Sequence, residues 1–215
     1  MPTLLHLDSA AESADRSRSR SITRTFAEVW ADGGEDFTVR YRDLHADPLP
    51  HLADASLHWP PQLRPEGSTP PLEAESLQAE LIGELLDADV VLIGAPLYNY
   101  SVPSSLKAWI DHIHVPGVTA PAEHKPLAGR LAVIVSSRGA VYDPGTPTEG
   151  WDHAVPLLEI LLGKALGMTT EVITASATLA EWHPAMTSLI ERADEELAAA
   201  HDRAAALARE AVASF

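Results

Sequence analysis

The sequence predicts an α/β fold, a parallel sheet with helices packed on both faces. Three observations carry that expectation. Five short apolar runs, at 3–7, 37–41, 90–95, 131–135 and 171–175, read as strands. Segments with helical spacing separate them, and such alternation implies crossover connections and a parallel sheet. The runs Val-Val-Leu-Ile-Gly-Ala at 90–95 and Leu-Ala-Val-Ile-Val at 131–135 lack polar alternation. That is the pattern of strands covered on both sides.

The elements follow in order. After the first strand, 8–16 is polar and irregular. A helix then begins near Ser19 and Arg20, with Ile22, Phe26, Val29 and Trp30 at helical spacing. Gly33-Gly34 ends it. After the second strand, 47–71 is rich in Pro and His without a period. A connection of that length inside a compact domain is usually functional or mobile. Helices are expected at 73–86, 104–112, 157–166 (capped by Gly167) and, as one Ala-rich run, at 185–213. No internal repeat or linker divides the chain, so one domain over 1–215 is expected.

Composition bounds the chemistry. The chain has 215 residues, 46% of them hydrophobic, enough for a substantial core without staples. It has no cysteine, which excludes disulfides, thiolate metal sites, iron–sulfur clusters and a cysteine nucleophile. The formal net charge of −16 repels nucleic acid and anionic membranes. The opening residues lack a basic region followed by a long apolar stretch, and no apolar run approaches a membrane span. A cytoplasmic protein is expected. His112 and His114 are two apart and share no helix face, His51 and His58 lie in the Pro-rich stretch, and no spacing suggests a metal site.

Ligands on open parallel sheets sit outside the carboxyl ends of the strands. The loops after the first, third and fourth strands are therefore the candidates. The first carries Ser9 and then Ser17-Arg18-Ser19-Arg20-Ser21 at a helix start. Hydroxyls, backbone N–H groups and a positive helix end suit a phosphate there. The same residues also read as a plain Ser cap with a solvated basic turn. The stretch is neither a P-loop nor a GxGxxG turn. The second loop, Pro96-Leu97-Tyr98-Asn99-Tyr100-Ser101-Val102-Pro103, is stiffened by two prolines and offers aromatic walls for a flat ring. The third, Ser136-Ser137-Arg138-Gly139-Ala140-Val141-Tyr142, allows close backbone approach at Gly139, with N–H groups for a carbonyl edge. Each of these two loops also reads as an ordinary turn. No nucleophile elbow of the GxSxG type is present.

Taken together, the three loops resemble those of the FMN-dependent NAD(P)H azoreductase and quinone reductase family, which is flavodoxin-like. The resemblance covers nearly the whole chain. Its most specific part is Pro96-Leu97-Tyr98-Asn99, followed by Leu106-Lys107 and Trp109-Ile110-Asp111. It implies a flavodoxin-like, doubly wound, five-stranded sheet binding FMN tightly but non-covalently. Ser9, Ser17, Arg18 and Ser19 would serve the phosphate. Pro96, Leu97, Tyr98, Asn99 and Tyr100 would line the flavin, and Ser137, Arg138, Gly139 and Ala140 would face its pyrimidine edge. No side chain is assigned a catalytic proton, Tyr142 being the one candidate. The implied reaction moves two electrons from NADH or NADPH to a quinone or azo compound by a ping-pong route, in a homodimer. The Trp109-Ile110 helix is expected to need a second protomer to cover it. Three departures stand out. Ala10 replaces a family Ser, Ala140 replaces a Gly whose backbone would take positive φ, and Ala120-Pro121 replaces a Phe near the acceptor. The alternatives are a flavodoxin-like electron carrier, a tailoring reductase for one aromatic substrate, and a cofactor-free binding module.

Overall fold

A computed structural model describes residues 1–13, 15–120 and 125–215. Five strands, β1 (Thr3–Asp8), β2 (Thr38–Asp43), β3 (Val90–Gly94), β4 (Leu131–Ser137) and β5 (Thr169–Ala175), form one sheet in the order β2-β1-β3-β4-β5. Every pairing is parallel, in registers such as Leu5↔Val91 and Val91↔Ala132. The chain therefore reverses direction across the sheet between β1 and β3, which creates a switch point there.

The central strands are largely apolar because both faces of the sheet are covered. Leu4, Leu92, Val133 and Val135 pack with Ile22, Phe26 and Trp30 of α1 (Arg18–Ala31) and with Ala204, Leu207 and Ala208 of α5 (Ile190–Val212). Leu5, Leu7, Val91, Ile93 and Ile134 face the other way. They meet Leu81 and Leu85 of α2 (Leu72–Asp87), Leu106 and Trp109 of α3 (Ser104–Ile113), and Leu158 of α4 (Ala154–Leu158). The edge strands differ: β2 alternates in burial, and so does the carboxyl half of β5. Burying side chains of this size stabilises a core by about 1.5–3 kcal/mol each.

Several expectations change in detail. The helix expected at 157–166 starts earlier, where Asp152 accepts from the Ala154 and Val155 N–H groups at 2.9 and 3.2 Å, and it widens into a π-helical run over Glu159–Ala165. The long terminal helix opens with a 3₁₀ turn, Pro184–Leu189, before α5. The Pro-rich stretch is anchored by two 3₁₀ turns, Ala55–His58 and Pro61–Leu63. Leu57 is buried, and Gln78 Nε2 donates to the carbonyls of Leu57 (2.9 Å) and His112 (3.0 Å). Trp109 is wholly buried within the chain, while Ile110 of the same helix lines a surface hollow. Among the described residues, no helix is long and apolar enough to cross a membrane.

Candidate active site

The main cleft, about 640 Å³, opens at the carboxyl ends of the strands. Its walls come from the loops after β1, β3, β4 and β5, and from α1 and α5.

The wall after β1 is built around the start of α1. Ser17 has extended backbone (φ −83°, ψ 117°) and its Oγ accepts from the Arg20 N–H at 3.3 Å, capping the helix. A capping oxygen of this kind stabilises a helix by about 0.5–2 kcal/mol. The first helical N–H groups have no intrahelical partner, so this end presents donors and partial positive charge. Ser17, Arg18 and Ser21 face the cleft, with Glu12, Asp15 and Arg16 beside them. Ser19 is wholly buried behind Ser17, with their hydroxyl oxygens 3.2 Å apart. Ser9 is buried too, and its hydroxyl donates to the Gly94 carbonyl at 2.7 Å.

Behind this wall lies a buried charge network. Arg20 forks onto both oxygens of Asp43 at 2.7 Å and donates to the Ala10 carbonyl at 2.7 Å and to Tyr41 Oη at 3.1 Å. Asp8 accepts from Thr23 at 3.0 Å and from Tyr41 at 3.2 Å. Burial, together with Asp8 and Asp43, pushes the Tyr41 phenol up to about 12. The network fixes the β1 loop from below through the Ala10 carbonyl.

The wall after β3 contains Pro96, Leu97 and Tyr98. The Ala95 N–H reaches the Val135 carbonyl and the Leu97 N–H reaches the Ser137 carbonyl, both at 2.8 Å, which ties this loop to β4. Tyr98 Oη accepts from the Ala11 N–H at 3.0 Å and ties it to the β1 loop. Tyr98 and Ser101 exchange backbone hydrogen bonds around Asn99 (φ 48°) and Tyr100 (φ 71°), two successive left-handed residues. Both are exposed and stand outside the cleft lining; Tyr100 meets the edge of Trp151 at 5.5 Å.

The loop after β4 places Ser137 and Gly139 on the cleft. Arg138 turns away, donating to Ser176 Oγ at 2.8 Å and lying 5.7 Å from the Tyr142 ring centre. Ala140 does not take a positive φ; the left-handed residue is Ala177 (φ 54°), whose N–H donates to the Ala140 carbonyl at 3.2 Å. Tyr142 is off the cleft lining, and burial, with Tyr100 and Asp152 nearby, pushes its phenol up despite Arg138, which makes it a poorer acid. Ala120 is buried in the core away from the cleft, and Pro121 lies outside the described residues.

The fourth wall, after β5, was not expected from the sequence. Thr178, Leu179, Glu181 and Trp182 face the cleft, with Leu197 and His201 of α5. The Thr178 and Leu179 N–H groups donate to the carbonyls of Arg138 (3.0 Å) and Gly139 (3.2 Å), which locks the last two loops together. Arg18 pairs with Glu181 at 3.0 Å and Arg16 lies 5.4 Å from the Trp182 ring centre, so the first and fourth walls touch. The available signal was Trp182 itself, a large aromatic in a polar stretch just beyond a strand end.

Residues 2–206 match the family described as flavodoxin-like fold. The chain belongs to that family. A Kineococcus radiotolerans protein named FMN-dependent NADH:quinone oxidoreductase is 58% identical over 209 residues, spanning 97% of this chain and 99% of its own. A Streptomyces avermitilis protein of the same name is 42% identical over 211 residues, spanning 98% and 97%. Among solved structures, an azoreductase from Bacillus anthracis str. Sterne covers 98% of this chain and 100% of its own with a TM-score of 0.79 at 20% identity. An FMN-dependent NADH-azoreductase from Bacillus anthracis str. Ames Ancestor, in complex with FMN, gives 0.75 at 19% identity, covering 97% and 100%. At those identities the two structures speak to the fold.

Proposed function

We propose that this chain is an FMN-dependent oxidoreductase that carries two electrons from NADH to a quinone or azo compound. The observation that carries the reading is the cleft. It lies at the strand ends, has a helix N-terminus and Ser17 at one side and a stiff wall of Pro96, Leu97 and Tyr98 at the other, and holds about 640 Å³. Ligand sites of this kind run from roughly 300 to 1,000 Å³, so a mononucleotide fits. The relatives' shared name supports the same cofactor and donor.

FMN, when bound, supplies the redox chemistry; the protein binds, orients and shields it. Ser17, Arg18 and the first turn of α1 are proposed to hold the phosphate, with Ser9 and Ser19 supporting them from behind. Pro96, Leu97 and Tyr98 would lie along the ring, with the Asn99–Tyr100 turn fixing the end of that wall. Ser137 and Gly139 would offer the polar edge, and Arg138 and Ala140 would hold that loop against the segment after β5. Donor and acceptor would take turns in one slot, which requires ping-pong kinetics.

The walls come from elements at both ends of the chain, which supports one domain over 1–215. A homodimer is proposed on the Ile110 side of α3, at a hollow of about 310 Å³ lined by Ile110, Leu157, Leu161 and Ile160, the last 52% exposed. A nicotinamide-dependent reaction supports a cytoplasmic setting.

The test is an absorbance spectrum of the purified protein, followed by anaerobic NADH and NADPH titration and then menadione or an azo dye. The expected result is bound FMN, bleached by a nicotinamide and restored by the acceptor, with parallel double-reciprocal lines. Flavin that no nicotinamide bleaches, but that a partner flavoprotein reduces, would replace the enzyme with an electron carrier.

A further inference from the structure

The cleft extends past Ser17 to a point where α1 and α5 meet. There His201 of α5 shares the wall with Ser17, Arg18 and Ser21. Its Nδ1 is 2.7 Å from Thr25 Oγ1 and its Nε2 is 3.5 Å from Ser21 Oγ.

The hydroxyl protons decide what those contacts are. Ser21 donates its proton to the Arg18 carbonyl at 2.8 Å, so its oxygen meets Nε2 as an acceptor and Nε2 carries hydrogen. The Thr25 hydroxyl lies between Nδ1 at 2.7 Å and the Ser21 carbonyl at 3.3 Å. It donates to Nδ1 of a neutral ring, or turns to the carbonyl and accepts from Nδ1 of an imidazolium. The hydrogen-bonding frame thus takes either charge state of the ring without losing a bond to it.

The surrounding charge opposes it. Arg18 and Arg24 on α1 face the ring, against Asp202 on its own helix, and Glu181 from the loop after β5 is engaged with Arg18. Burial and the two arginines hold the imidazole below its ordinary value. The frame admits a proton, and the surrounding charge withholds it until an anion arrives.

We propose that His201 belongs to the anion seat of this cleft: it takes up a proton when a phosphate group binds beside the α1 N-terminus and then donates through Nε2 toward that group. This rests on the proposed phosphate-bearing cofactor. Affinity for the phosphate would rise as pH falls through the window between the free and bound His201 pKa values, opposing the phosphate's own second ionisation near ~6.

The experiment compares FMN and riboflavin dissociation constants from pH 5.5 to 8 in the wild type and His201→Gln, which keeps a neutral hydrogen-bonding group. The ratio of variant to wild-type dissociation constants for FMN is expected to grow by about tenfold per pH unit within that window. The same ratio for riboflavin should stay flat. Calorimetry in two buffers of different ionisation enthalpy should show proton uptake with FMN in the wild type that the variant lacks. Identical FMN profiles and identical proton uptake would overturn the proposal. Wild-type His201, followed by NMR with and without inorganic phosphate, separates this inference from the cofactor reading. A His201 pKa that rises with phosphate upholds the seat even if no flavin binds, and a pKa that does not move sinks it.

Discussion

Replacing Arg20 with Ala should be among the most damaging single changes outside the apolar core. The side chain is 7% exposed and connects three separate segments: β2 through Asp43, β1 through Asp8 (3.7 Å), and the loop after β1 through the Ala10 carbonyl. Removing one partner of a buried ion pair costs about 3–5 kcal/mol, because the opposite charge remains without compensation. Two features place Arg20→Ala near the low end. Asp43 is partly open to water and accepts from the His45 and Ala46 N–H groups at 3.0 Å, and Asp8 keeps Thr23 and Tyr41. A loss of about 3 kcal/mol follows, roughly 6–12 °C in Tm for a chain of this size. Urea unfolding should show a lower midpoint with an unchanged slope. Arg20→Lys restores charge but not the fork plus the Ala10 bond, so it should recover less than half. The pH dependence supplies a second check. Burial pushes Asp43 up, but the Arg20 fork and the two amide hydrogens outweigh it and hold its carboxyl below the usual range. Its contribution is therefore full above the unfolded value of about 3.9 and fades as pH falls through the lower folded value. The gap between wild type and Arg20→Ala should narrow on acidification. A variant within 1 kcal/mol of wild type at neutral pH would refute the reasoning, as would a gap that widens in acid.

Two further outcomes concern backbone placement and the cleft. A Cβ at Gly94 would overlap Asp8 Oδ1 and come within 3.3 Å of Thr23 Cγ2, so Gly94→Ala should cost about 1–3 kcal/mol in urea unfolding. Gly83, mid-way along α2, has nothing within 4 Å of such a Cβ, and Gly83→Ala should instead gain about 0.5–1 kcal/mol; the same sign for both would discredit the steric argument. Tyr98→Phe loses the 3.0 Å bond from the Ala11 N–H, worth about 0.5–1.5 kcal/mol, and should weaken FMN binding by roughly two- to tenfold in a fluorescence titration; unchanged affinity would separate the two loops.

The sheet was legible because β3 and the first five residues of β4 form unbroken apolar runs. Val91 and Leu92 face opposite layers, and both layers are buried, so no polar residue interrupts the run. The wall at Pro96–Tyr98 was legible for a related reason: Pro and Tyr after a buried strand have no role in continuing it. Arg20 was not legible. An arginine on the first turn of a helix reads as solvated unless the partner strand is known, and Asp43 is 23 residues away. Trp109 misled because an aromatic in a short helix does not announce which layer it meets. The π-helical run over Glu159–Ala165 leaves no trace, since Leu161 and Leu162 suit an α-helical face equally well. The wall after β5 was missed because its residues are held by backbone bonds to Arg138 and Gly139, which no side-chain pattern encodes.

The Asn99–Tyr100 turn shows where this chain departs from the least costly solution. Two successive left-handed residues form the turn best met by Asn-Gly, and Asn99 fits the first place. A left-handed tyrosine costs roughly 1–2 kcal/mol that glycine would avoid. The surroundings are built to hold it. The His153 N–H donates to the Tyr100 carbonyl at 2.9 Å, Trp151 meets the ring edge-on at 5.5 Å, and Tyr98 and Ser101 close the turn from both sides. An aromatic edge pair of that kind is worth about 0.5–1.5 kcal/mol, comparable with the strain. On stability alone the exchange is nearly neutral, so stability gives tyrosine no advantage over glycine here. What tyrosine adds is an exposed ring at the end of the wall that Pro96 and Leu97 begin. Strained residues held by their surroundings gather at functional sites, and this one ends the loop that supplies Pro96, Leu97 and Tyr98 to the cleft.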